Sequence, residues 1–140
     1  MRPRSLAEVV ERTARDADWD HHLMEFLDTF YTADGDRAAQ ACMIAAQPGF
    51  IGAERPDAFI GGVGEHLARR WQLPIPAWVR DEARYLELPM FVPDEAPLRA
   101  YLLAASPVAF RTRLIFTGPD PLQRARFPYH RGVIVVPVVP

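Results

Sequence analysis

The apolar residues of this chain recur at helical spacing, and proline sets where each run must stop. Leu6, Val9, Val10, Thr13 and Ala17 form one stripe, and Leu23, Phe26, Leu27, Phe30 and Tyr31 form a second. Spacing of three and four residues places each set on one face of an amphipathic helix. Ser5-Leu6-Ala7-Glu8 is a capping box, in which the Ser5 hydroxyl and the Glu8 carboxylate each accept a free backbone N–H of the first turn. The second helix is expected to start near Asp18 or Asp20 and to break at Asp34-Gly35-Asp36. A small-residue helix, "RAAQACMIAA", follows, and "QPGFIGAERP" reads as a loop because each proline pushes its predecessor out of helical geometry.

The next helix is expected to be capped by Asp57 and to turn Phe59, Ile60, Val63, Leu67 and Trp71 inward, ending at "QLPIP". Pro76 suits the first turn of a short helix, "PAWVRDEARYL", and "ELPMFVPDEAP" reads as an extended crossing. Helical pieces are predicted over 96–105 and 107–115, then a turn at "TGPDP" and a short piece at 120–126. The tail "GVIVVPVVP" is rich in β-branched residues and reads as a strand or extended arm over about 131–140. With no internal repeat and no low-complexity linker, residues 1–140 read as one mainly α, multi-helix domain with that C-terminal arm.

Composition bounds the function. A chain of 140 residues that is 49% apolar can bury one core. No apolar run reaches the roughly 18 residues of a membrane span, and the N-terminus meets charges too early for a signal-peptide core. A single cysteine, Cys42, excludes an internal disulfide and fits a cytoplasmic setting; among alanines, its thiol is expected to be buried and inert. Residues 1–72 carry eight arginines against twelve carboxylates, a balance of −4, whereas residues 73–140 carry eight against six, or +2. Between 99 and 131, arginines 99, 111, 113, 124, 126 and 131 face only Asp120. A basic C-terminal third can contact an acidic protein or nucleic acid, or can simply be a solvated surface.

Motifs for catalysis are weak. His21, Glu25 and Asp28 share a helix face, but no HExxH or CxxC supplies further metal ligands, and a solvated face is the expectation. "GGVG" at 61–64 lacks the strand before and the Lys-Ser/Thr after that a phosphate loop needs, so it reads as close helix packing. Ser106 precedes Pro107 without a surrounding G-x-S-x-G and reads as a helix cap. No enzyme activity, cofactor or metal is expected. In "YLLAASPVAFRTRLIF", residues 101–116, Phe110 and Phe116 are predicted to be core and Arg111 at least partly exposed.

Within 65–125, the residues that carry a family resemblance are Arg69, Arg70, Leu73, Pro74, Pro76, Trp78, Ser106, Pro107, Phe110, Arg111, Arg113, Ile115 and Phe116. The pattern is a helix ending in Ala-Arg-Arg, a Leu-Pro-x-Pro-x-Trp turn, an extended crossing, and a Ser-Pro-x-x-Phe-Arg-x-Arg-x-Ile-Phe block. It resembles a group of small bacterial antitoxin-like proteins encoded beside nucleotidyltransferase-type toxins, some carrying an N-terminal Xre-type helix-turn-helix. Met90 stands where that pattern has tryptophan, and the first 50 residues are too short and differently patterned for an Xre domain, so DNA binding is not carried over from those relatives.

The resemblance implies a non-enzymatic protein that binds and neutralises a nucleotidyltransferase-like toxin, with Arg99, Arg111, Arg113, Arg124, Arg126, Val133 and Val135 as candidate partner-binding residues. Alternatives are a nucleic-acid-binding transcriptional regulator using the C-terminal arginines, whose affinity would fall steeply with salt, and a small enzyme with a composite site around His21 or His66. A homo-oligomer through the apolar arm is a further expectation, since such a tail must dock in cis or in trans.

Overall fold

The computed structural model describes residues 1–125 of the chain; the predicted arm at 131–140, with Val133, Val135 and also Arg126, lies outside the described residues. The architecture is mainly α. Four helices come first: α1 Leu6–Asp16, α2 Trp19–Thr32, α3 Arg37–Ala45 and α4 Glu54–Arg70. Shorter pieces follow: 3₁₀ turns at Ala77–Arg80 and Glu82–Arg84, β1 Met90–Phe91, a 3₁₀ turn at Ala96–Leu98, α5 Arg99–Ala105, α6 Val108–Arg111 and β2 Ile115–Phe116. β1 and β2 pair in parallel, Met90 opposite Ile115 and Phe91 opposite Phe116.

Local chemistry explains the first half. The Ser5 hydroxyl accepts the Glu8 N–H at 3.1 Å, while the Glu8 carboxylate accepts from Arg4 N rather than from Ser5. Asp18 and Asp36 cap α2 and α3 by accepting the N–H groups of His21 and Ala39. Leu6, Val9, Val10 and Thr13 of α1 and all five predicted residues of α2 are buried, whereas Ala17 is exposed because it leaves α1 at φ 60° as the C-cap.

The core is one cluster centred on α4, from which Ile60, Val63, Leu67 and Trp71 point inward. α4 can be central because its small residues let neighbours approach closely. A Cβ on Gly62 would lie 2.6 Å from the Phe110 ring, and one on Gly64 would lie 2.7 Å from the Trp78 ring. The expectation of close packing at 61–64 holds.

Four expectations are corrected. α4 begins at Glu54, not at Asp57; the Asp57 carboxylate instead accepts the N–H groups of Ile51 and Gly52 at 2.6 and 3.0 Å and closes the preceding loop. "PAWVRDEARYL" forms two 3₁₀ turns rather than one helix. The second predicted helical piece ends at Arg111, since Leu114 adopts φ 65° and the chain turns into β2. Residues 120–125 form a turn, with Gln123 N donating to Asp120 O.

Candidate protein-binding site

Six arginines were candidates for one basic patch; Arg126 and Arg131 lie outside the described residues, and the fold separates the other four. Arg113 is fully buried, contrary to the expectation that it faces a partner. Its guanidinium donates to Glu65 Oε1 at 2.7 Å, to Ala109 O at 2.7 Å, to Arg84 O at 3.1 Å and to Val79 O, and it lies 4.4 Å from the centre of the Tyr85 ring. The physical reason is donor supply. The irregular chain between α4 and β1 leaves backbone carbonyls without helical partners, and a guanidinium offers five donors in a fixed fork.

Arg84, which the sequence reading did not single out, works the same way. Also fully buried, it donates to Pro48 O at 2.8 Å and Gly49 O at 3.0 Å and stacks 4.1 Å from the Phe50 ring centre. Burial pushes its pKa down, opposed by the charges of Asp57 and Asp81. Glu65 balances this interior. Burial pushes its pKa up, but hydrogen bonds from Arg113 and from Arg69 at 2.9 Å outweigh that and hold it below the usual carboxylate range.

The remaining described arginines sit apart. Arg111 is exposed, as expected, and donates to Ser106 O at 2.6 Å, which places its guanidinium at the C-terminal end of α5. Arg99, at the start of α5, pairs with exposed Asp94 at 3.1 Å and lies 5.1 Å from the Phe91 ring centre. Phe110 and Phe116 are core, as predicted. Between the two arginines α5 reads RAYLLAA, yet only Leu102 is buried; Tyr101 and Leu103 are about half exposed, at 56% and 48%. Ser106 closes the C-terminus of α5 rather than capping α6. Its hydroxyl donates to Leu102 O and accepts Thr117 N at 2.8 Å, tying α5 to the end of β2.

Arg124 belongs to a second surface. It makes two hydrogen bonds to Asp28, at 3.0 and 3.1 Å, while Tyr31 Oη donates to Leu122 O at 2.6 Å, so residues 121–124 are strapped along α2. With Leu23 and Met24 of α2 and with Met90 and Val92 of the crossing, they enclose an apolar groove of about 250 Å³. Met90 of β1 lines this groove.

The histidines do not converge. His21 lies 3.5 Å from Glu25, His22 Nε2 lies 2.7 Å from Asp16, and Asp28 is engaged by Arg124. His66 is buried beside the Phe110 ring, and burial, aided by the Arg70 charge, pushes its pKa down to about 3. Cys42 is exposed rather than buried, because α3 turns Gln40 and Ile44 inward. Among the described residues no helix is long and apolar enough to cross a membrane. The chain matches no family model, no curated protein and no solved structure.

Two features were not legible from local sequence. The structural use of Arg84 and Arg113 depends on carbonyls and a carboxylate distant in the chain, and the exposed face of α5 looks like core by composition alone. The one available signal was that an arginine amid "FRTRLIF" has no nearby carboxylate, and so must either reach solvent or find a remote partner.

Proposed function

We propose that the protein is a non-enzymatic, antitoxin-like binder that covers and neutralises a nucleotidyltransferase-type toxin. The observation that carries this reading is the apolar groove between α2 and the 90–92 crossing, with Met24 and Val92 exposed at its edge. One wall is the 90–92 crossing, paired with β2, and the opposite wall is held in place by the Tyr31 and Arg124 hydrogen bonds, so the groove is built before a partner arrives. A rigid apolar cleft with a polar rim takes an apolar anchor side chain of another protein at low ordering cost.

The interior charges favour binding over catalysis. Glu65, Arg84 and Arg113 are tied to one another's backbone or side chains, and His66 is neutral and enclosed at physiological pH. The transcriptional-regulator reading draws less support, since Arg113 is buried and Arg124 is paired with Asp28, which reduces the cations free to track phosphates.

Co-expression with a nucleotidyltransferase encoded beside its gene tests the proposal. A stable complex and relief of that enzyme's toxicity are expected, and Met24→Glu should weaken the complex about tenfold or more while leaving the melting temperature unchanged. No complex with the neighbour, or a complex indifferent to Met24→Glu, would overturn it.

A further inference from the structure

We propose that α5 is a self-association surface, docking antiparallel against α5 of a second copy of this chain. The helix buries only Leu102, whereas Tyr101, Leu103, Leu98 and neighbouring Val108 are exposed. An apolar helix this open in water is unusual unless another surface covers it. The charges at its two ends identify the second copy as the cover. Exposed Glu95 precedes the helix, with Asp94 already paired to Arg99, and the Arg111 guanidinium is anchored to Ser106 O at the opposite end. The face is therefore acidic at one end, basic at the other and apolar between.

Such a face is complementary to itself when turned by a two-fold axis, the arrangement that closed dimers require. Antiparallel alignment about Ala100 and Tyr101 sets Glu95 of each copy opposite the Ser106 carbonyl, and hence the Arg111 guanidinium, of the other. Ala100 and Ala104 between Tyr101 and Leu103 let the two helices approach closely. One helix and its flanks make a small interface, at the low end of the roughly 1,000 Å² of specific contacts, so the dimer should be concentration-dependent. This inference does not rest on the antitoxin reading, since it concerns the chain alone.

Sedimentation velocity of the full chain over a concentration series tests it. The wild type should shift from monomer to dimer with rising concentration. Leu103→Asp, at an exposed position, should stay monomeric with an unchanged melting temperature, and Arg111→Glu should weaken the dimer about tenfold. Combining Arg111→Glu with Glu95→Arg reverses both charges and should restore it. A wild type that stays monomeric into the millimolar range, a dimer untouched by Leu103→Asp, or no restoration in the double variant would overturn the proposal.

Discussion

Arginine does opposite things in two neighbouring regions of this molecule. Against α4, Arg84 and Arg113 are fully buried and donate to the carbonyls of turns that have no helical partners. Along α5, Arg99 and Arg111 stay at the surface, Arg99 paired with Asp94 before an apolar helix face and Arg111 beyond it. The first pair stands in for regular secondary structure, since a chain of short 3₁₀ turns and two-residue strands needs donors from side chains. The second pair makes one local contact each, Arg99 to Asp94 and Arg111 to Ser106 O, and stays at the surface. Residue type does not separate these roles; the number of unsatisfied carbonyls within reach does.

Removing the interior donors should have the largest effect. Arg84→Met leaves the buried Pro48 carbonyl and the part-buried Gly49 carbonyl without this donor, and should cost about 3 kcal/mol in denaturant unfolding. A loss below roughly 1 kcal/mol would show that water replaces the guanidinium.

Gly62→Ala should cost about 2 kcal/mol, because its Cβ meets the Phe110 ring at 2.6 Å and α6 has to move off α4. Pairing it with Phe110→Leu should cost less than the sum of the two single changes. Strict additivity would mean that α6 accommodates the methyl without this clash.

Acid should act on the interior before the surface. Both Glu65 and His66 have folded-state pKa values below their ordinary ones, Glu65 through its arginines despite burial and His66 through burial. Depressed values mean that the unfolded chain binds protons more readily, so both contributions are complete above the unfolded pKa and lost as pH falls. The His66 contribution should fade between about 6.5 and about 3, and that of Glu65 below its ordinary 4.5. His66→Leu should flatten the melting-temperature profile across the upper part of that window; an unchanged slope would assign the acid sensitivity elsewhere.

How far the sequence carried depended on the range of each interaction. The stripes on α1 and α2, the caps at Ser5 and Asp18 and the close packing at Gly62 were legible because each is decided within a few residues or by the absence of a side chain. The start of α4 was not, since Ala53 offers no capping side chain and Asp57 is engaged with the loop before it. The burial of Arg113 was not either, because its carboxylate partner lies 48 residues away. For the candidate site, Arg99 and Arg111 were found as exposed residues, whereas the groove required Leu23, Met90 and Leu122 to be brought together by tertiary contacts that no local pattern encodes.

The smallest effect should come from Arg99→Ala. Its pair with Asp94 is exposed on both sides, so the melting temperature should move by no more than about 1–2 °C. A larger shift would place Arg99 with the interior set and blur the division.

Thermal unfolding of Arg113→Met beside Arg111→Met tests the division most directly. Arg113→Met leaves Glu65 buried without its main partner, for which a loss of about 3–5 kcal/mol, or roughly 10 °C, is expected, while Arg111→Met should lie within about 2 °C of the wild type. Similar shifts for the two variants, or a tolerant Arg113→Met, would contradict the assignment of one arginine to the fold and the other to a partner.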